Sequence, residues 1–263
     1  MSIKSKILLH GQTDTGLVRD HNEDAIGCNE DIALAILADG MGGHRGGEMA
    51  SAITVSTILE LITHEAIKHS TTNRLLHNAI TQANKNVYDS SKTNPHYRGM
   101  GTTIVAVLFY DNCFTVAHVG DSRLYRLRDA QLKQITCDHS FVQEQIDLGI
   151  HTAEQARKSP NKNLITRAIG IDNDVQIDTQ RDAAMSGDIY LLCSDGVNDM
   201  LEDDVIKATL IDNSYDLEKA TSEIIRLAND QGGKDNISVL LAKPVKPFPA
   251  KNGLLHRLRS MFS

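Results

Sequence analysis

The acidic residues best placed to do chemistry in this chain share one context. Glu23-Asp24, Asp39-Gly40, Asp121-Ser122, Asp195-Gly196 and Asp235-Asn236 lie at the ends of short apolar runs, and Asp39, Asp121 and Asp195 each follow such a run directly. A single Asp after a strand is ordinarily a turn residue. Repetition changes that reading, because strands delivering these carboxylates to a common edge would set up a repulsion of about 4 kcal/mol per close pair at an effective dielectric near ~20. Either some are protonated with raised pKa values, or divalent cations lie among them. An all-oxygen set without His or Cys favours hard ions, hence Mg2+ or Mn2+ over Zn2+. Two such ions about 4 Å apart can share a water, lower its pKa and present hydroxide in line with a phosphorus centre. That would be phosphate-ester hydrolysis without a protein nucleophile. Competing constellations fail on inspection: there is no GxxxxGK[ST] loop and no GxSxG elbow, and His64-Glu65 is followed by Lys68 where a zinc helix needs a second His.

Short or alternating apolar runs predict strands over 7–12, 32–38, 103–110, 114–119, 124–127, 189–193 and 237–242. Tyr110-Asp111-Asn112-Cys113 and Arg128-Asp129-Ala130-Gln131 are hairpin-length turns, so the middle of the chain reads as antiparallel, against a doubly wound sheet. Helical periodicity covers 47–68, 74–92, 203–211 and 216–230. Two helices early and two late, with strands between, fit helix layers on both faces of stacked antiparallel sheets, an α+β architecture. Residues 139–174 have little core-forming apolarity and read as an inserted surface flap.

The 263 residues, 41% hydrophobic and 23% charged, suit one large domain. A net charge of -7 excludes a general electrostatic grip on nucleic acid. Cys28, Cys113, Cys137 and Cys193 form no CxxC pair, which suits a reduced compartment, and Ile7-Leu8-Leu9 is too short for a signal-peptide core. The expected setting is therefore the cytoplasm. From residue 244 a Pro-rich linker is expected (Pro244, Pro247, Pro249), followed by a basic tail in which Leu254, Leu255, Leu258, Met261 and Phe262 recur at helical spacing opposite Arg257 and Arg259. So short a helix is marginal by itself, and a frayed tail is the favoured reading over contact with a membrane surface.

These residues together resemble the metal-dependent type-2C serine/threonine protein phosphatases in their short bacterial form. The segments that carry the resemblance are Gly16-Leu17-Val18-Arg19 with Asn22-Glu23-Asp24, Asp39-Gly40-Met41-Gly42-Gly43-His44, Gly46-Gly47-Glu48, Met100-Gly101-Thr102-Thr103, Gly120-Asp121-Ser122-Arg123, Asp138-His139-Ser140, Ser194-Asp195-Gly196 and Gly232-Gly233 with Asp235-Asn236. Their order and spacing run from Gly16 to about Ala242. The resemblance implies a four-layer αββα sandwich over residues 1–243 with a dinuclear Mn2+ or Mg2+ centre at one edge. It implies that Asp39 bridges both ions, that the Gly40 carbonyl binds one, and that Asp195 and Asp235 hold the other. Glu23 and Asp24 would act through metal-bound waters, Asp24 positioning the nucleophile. A third, weaker ion would lie near Asp121, shared with Asp195. Arg19 would clamp the substrate phosphate, a role suited to its bidentate fork.

The partners implied are phosphoprotein substrates and a cognate Ser/Thr kinase in a bacterial cell, with the phosphatase itself a monomer. Two rivals stand beside this: a phosphoprotein-binding pseudophosphatase, disfavoured because Asp39, Asp195, Asp235 and Arg19 all persist, and a phosphatase of small phosphomonoesters. One departure concerns the leaving group. In the animal branch of the family a His follows the Asp-Gly pair as proton donor, whereas here that position is Met41, whose thioether cannot donate; the nearest substitute is His44. Thr102-Thr103 and Asp138-His139-Ser140 are read as strand-end hydrogen-bonding residues.

Overall fold

In the computed structural model, residues 6–42, 45–66, 72–152, 155–156 and 159–248 are described. Among them, β1 (Ile7–Asp14), β7 (Arg123–Arg128), β8 (Gln131–Gln134), β10 (Ile189–Cys193) and β11 (Ile237–Pro244) form an antiparallel sheet in the order β1-β11-β10-β7-β8. A second antiparallel sheet runs β2-β3-β5-β6-β9, from β2 (Asp24–Asn29), β3 (Leu34–Met41), β5 (Ile104–Tyr110), β6 (Cys113–Val119) and β9 (Asp178–Ala183), with β4 (Gly101–Thr102) paired to the end of β3.

The strands are apolar on both faces because both faces are covered. On β3, Leu34, Ile36 and Ala38 pack under the helices α1 (Gly46–Ala66) and α2 (Thr72–Thr93), while Ala35 and Leu37 face the other sheet. On β10, Tyr190 and Leu192 join that inter-sheet core, whereas Ile189, Leu191 and Cys193 pack under the helix layer that contains α5 (Asp203–Asp212) and α6 (Leu217–Asp230). Phe109, Phe114 and Tyr190 meet at the centre with ring centroids 5.0–6.4 Å apart. The result is the expected four-layer αββα sandwich, with the short helix α3 (Phe141–Asp147) following β8.

Both hairpin turns form with their central residues at positive φ: Asp111 and Asn112 at 49° and 54°, Asp129 and Ala130 at 50° and 57°. This is the primed geometry that matches strand twist in two-residue loops. Four strands were not expected: β2, β8 and β9, which carry no apolar alternation, and the two-residue β4. Asp178–Ala183 is exposed along nearly its whole length at the sheet edge, so it is held by backbone pairing to β6 and not by burial.

The linker expected from residue 244 needs correcting in its first residues. Pro244 is the last residue of β11 and pairs with Ile7 at the edge of the register. Val245 N–H donates to the Lys6 carbonyl at 2.7 Å, and Phe248 is buried in the inter-sheet core. The folded body therefore reaches Phe248, and the expected basic tail lies outside the described residues. No helix among the described residues is long and apolar enough to cross a membrane.

Candidate metal centre

Two sheets ending side by side bring the acidic residues together. Asp39 lies near the end of β3, with Asp24 its partner in the β2–β3 register. From the other sheet, Asp195 opens the short helix α4 (Asp195–Asn198) just after β10, and Asp235 precedes β11. Asp121 sits in the crossing between β6 and β7, which passes from one sheet to the other. Arg19, Glu23, Asp39, Gly40, Asp121, Asp195 and Asp235 line one cleft, with Met41, Gly42, Thr103, Asn163 and Ile165 completing its wall. Asp24 is set behind this lining, and its Oδ2 accepts from Ser194 Oγ at 2.8 Å.

Backbone packing at the floor is close enough to demand glycine. A Cβ on Gly40 would stand 2.2 Å from the Gly47 carbonyl oxygen and 2.4 Å from that of Glu23, and one on Gly47 would stand 2.7 Å from the Glu23 carboxylate. Thr103 fixes the other side: its Oγ1 accepts from Asp39 N–H at 3.0 Å and bonds Ser122 Oγ at 2.7 Å, while Thr102 Oγ1 donates to the Asp39 carbonyl at 2.8 Å. Arg19 Nη2 donates to Asp235 Oδ2 at 2.7 Å, holding a half-exposed guanidinium over the mouth.

The loop carrying Arg19 and Glu23 is stapled by one side chain. Asn236 Oδ1 accepts from Glu23 N–H at 2.8 Å, and its Nδ2 donates to the carbonyls of Thr15 and His21, both at 2.9 Å. Each buried partner left unmade costs about 1–3 kcal/mol. Asn236→Ala is therefore expected to lower unfolding free energy by about 2–4 kcal/mol in urea titration and to weaken Mn2+ binding in calorimetry. A change below ~0.5 kcal/mol, within the range of an ordinary surface substitution, would mean the loop is held by something else.

Burial raises Asp24 to about 6 and Asp121 to about 7. Asp39 and Asp195 are pushed well above the usual carboxylate range by burial and then by each other's neighbours, Asp24 beside Asp39 and Asp121 beside Asp195. Glu23 is raised by burial as well. Among the described residues five buried side-chain atoms have no hydrogen-bond partner, and two of them, the carboxylate oxygens Glu23 Oε1 and Asp24 Oδ1, belong to this centre. A desolvated, mutually repelling all-oxygen set with orphaned lone pairs fits hard divalent cations, and among its side chains there is no soft ligand to favour zinc.

Every acidic residue expected at the centre is thus brought to it, together with Arg19 and Gly40. His44 lies outside the described residues. Ser194, Asn236, Asn163 and Ile165 were not anticipated as parts of the site. Ser194 and Asn236 each sit beside a predicted Asp, and that adjacency was the available signal; nothing in the flap's composition marks Asn163 or Ile165.

A profile of the protein phosphatase 2C family matches residues 18–242. The chain is 37% identical over 242 residues to the serine/threonine phosphatase stp of Listeria monocytogenes, covering 88% of this chain and 94% of that protein. It is 38% identical over 234 residues to the serine/threonine protein phosphatase PstP of Mycobacterium tuberculosis, covering 89% of this chain and 44% of that one. The crystal structure of the Mycobacterium tuberculosis enzyme superposes with a TM-score of 0.84 at 37% identity, over 90% of this chain and 98% of that chain. A catalytic-domain structure of PstP that contains 2 manganese ions superposes at 0.83 with 36% identity, over 91% and 99% of the two chains.

Proposed function

Because this chain belongs to the protein phosphatase 2C family, and is a metal-dependent protein-serine/threonine phosphatase working with two Mn2+ or Mg2+ ions, we propose the following assignment of roles to its residues. Asp39, the Gly40 carbonyl, Asp195 and Asp235 hold the two cations. Glu23 and Asp24 act through metal-bound waters, with Glu23 Oε1 and Asp24 Oδ1, both left without a partner among the described residues, free to accept from them. That pair of orphaned, buried oxygens beside carboxylates raised by burial is the observation that carries the reading. When bound, the ions supply charge neutralisation, a water of lowered pKa and polarisation of the phosphoryl oxygens.

The chain's own groups do the rest. Arg19 receives the phosphate: its guanidinium is half exposed at the cleft mouth and already oriented by Asp235, so little side-chain entropy remains to be lost when it grips two phosphoryl oxygens. Asp24, held from behind by Ser194, positions the attacking water. Asp121 and Asp195 are the pair suited to a third, weaker ion. The physiological partners are phosphoproteins and a bacterial Ser/Thr kinase, in the cytoplasm, with the enzyme acting as a monomer in signal reversal.

Departure of a serine or threonine alkoxide needs a proton, and general acid help is worth about 10²- to 10⁴-fold. Met41 lines the cleft and cannot donate one; the donor is assigned to His44, with a metal-bound water as the alternative. With Mn2+ present, His44→Ala is expected to slow a phosphothreonine peptide at least ~10²-fold while leaving an activated aryl phosphate, whose phenolate departs unaided, within a few-fold of wild type. Equal slowing of both substrates would remove His44 from that role. Failure of wild type to release phosphate from the peptide at all would remove the protein-phosphatase assignment itself.

A further inference from the structure

We infer that His139 is a positioning residue for this reaction, one that sets the Gly120–Asp121 turn and ties it to both feet of the flap; the inference rests on the assignment of Asp121 to the centre. Its Nδ1 accepts from Gly120 N–H at 3.1 Å, and its own backbone N–H donates to the Gly120 carbonyl at 3.0 Å. Both backbone groups of Gly120 are thereby satisfied by one residue. On its other side Gly120 is closed off by Thr103: at φ +99° a Cβ would stand 2.6 Å from Thr103 Cγ2. Asp121, largely buried, has no freedom of its own once this turn is gripped.

The acceptor role of Nδ1 dictates the tautomer, so Nε2 carries the proton and donates to Asp178 Oδ2 at 3.2 Å. Asp178 begins β9, where the chain returns from the flap, and its Oδ1 pairs with Arg167 at 3.0 Å. The His139 carbonyl accepts from Thr166 N–H at 2.8 Å, beside the cleft-lining Ile165. His118 stacks on the ring at 4.7 Å, and burial holds both imidazoles below their usual pKa. The two histidines and Asp178 could be taken for a metal site of their own. Arg167 Nη1, 3.3 Å from His139 Nε2, places a fixed positive charge there instead.

The test compares His139→Leu, His139→Asn and Asp178→Ala in the holoenzyme, in wild-type and Asp121→Asn backgrounds. Partners that orient a metal-site residue are worth about 10- to 100-fold. His139→Leu is expected to lower kcat about tenfold with little change in the KM for phosphopeptide, to speed hydrogen exchange at the Gly120 amide, and to weaken the outermost Mn2+ step in calorimetry. His139→Asn, which restores a carbonyl acceptor for Gly120, should recover most of the loss, and Asp178→Ala should fall between. In the Asp121→Asn background His139→Leu should cost nothing further, as residues acting through one group are not additive. An equal loss in both backgrounds, or no rescue by Asn, would overturn the inference. If Asp121→Asn is slow while His139→Leu matches wild type, the inference alone falls. If Asp121→Asn itself matches wild type, the assignment of Asp121 falls and takes the inference with it. Should the Leu variant not fold, Asp178→Ala, altered at a half-exposed side chain, decides the same question by exchange at Gly120.

Discussion

Asp39→Ala and Asp235→Ala are each expected to reduce kcat by about 10³-fold or more, because the ions contribute several kcal/mol to the developing charge and each ~1.4 kcal/mol is a factor of ten. Asp39 is the point where β2, β3 and the Thr103 network converge, so its loss removes a ligand from the middle of the site. Asp235 has a second task, since its removal also frees Arg19 from a 2.7 Å ion pair. The two variants should therefore differ in KM. Asp39→Ala should leave the KM for phosphopeptide nearly unchanged at saturating Mn2+, and Asp235→Ala should raise it. Calorimetry should show tight Mn2+ binding lost in both, with circular dichroism unchanged. Turnover by chelator-treated wild type at more than a few per cent of the Mn2+-loaded rate would sink the metal-dependent role given to these carboxylates.

In chelator, the protein is expected to lose stability as pH rises from 6.5 to 8, and Mn2+ should cancel that loss. The sign follows from where protons sit. Unfolded Asp side chains ionise near ~3.9, whereas Asp24 stays protonated to about 6, Asp121 to about 7, and Asp39 and Asp195 well above the usual range. The folded state binds more protons than the unfolded one, so unfolding free energy falls with rising pH until these groups have ionised. A single carboxylate raised this far costs on the order of 3 kcal/mol at pH 8. His118, held near 4 by burial, and His139 act in the opposite sense. Their contribution is half gained by about pH 6.5, the unfolded imidazole value, and tapers off above it, which is why the fall is read from there upward.

Adding Mn2+ at about 100 times its dissociation constant restores about 2.7 kcal/mol per site. The measurement is melting temperature against pH, with chelator and with Mn2+. A melting temperature that climbs from pH 6.5 to 8 in chelator would contradict the electrostatic picture of the centre. Asp39→Asn, inactive but relieved of a buried charge, should melt above wild type in chelator at pH 8 and below it in Mn2+.

Much of this molecule is legible in its residues before any coordinates are consulted. Asp39, Asp121, Asp195 and Asp235 stand next to strands that announce themselves by apolar runs, and the type I′ turns at Asp111-Asn112 and Asp129-Ala130 fall where polar residues separate such runs. Local composition suffices there because the signal and its cause lie within a few residues of each other. Strands β2, β8 and β9 were invisible for the converse reason. All three are edge strands, β2 and β8 paired to the adjoining β3 and β7 and β9 to the distant β6, and an edge strand such as Asp178–Ala183 is held by backbone pairing without apolar side chains.

The sequence by itself singled out the carboxylates at strand ends and the hard cations they suit, and the parts given to the Gly40 carbonyl and Arg19 came with the resemblance to the family. What tertiary structure alone decided is the environment those groups occupy. Burial raised Asp39 and Asp195 and left Glu23 Oε1 and Asp24 Oδ1 without partners among the described residues, while folding laid Arg19 on Asp235 and brought Asn163 and Ile165 to the cleft wall. It also drew Phe248 back into the inter-sheet core past a run of prolines. Chemical identity is carried residue by residue along the chain. Desolvation and proximity are properties of pairs 19 to 216 positions apart, such as Gly120 with His139 or Arg19 with Asp235, and they exist only once the two sheets have closed on each other.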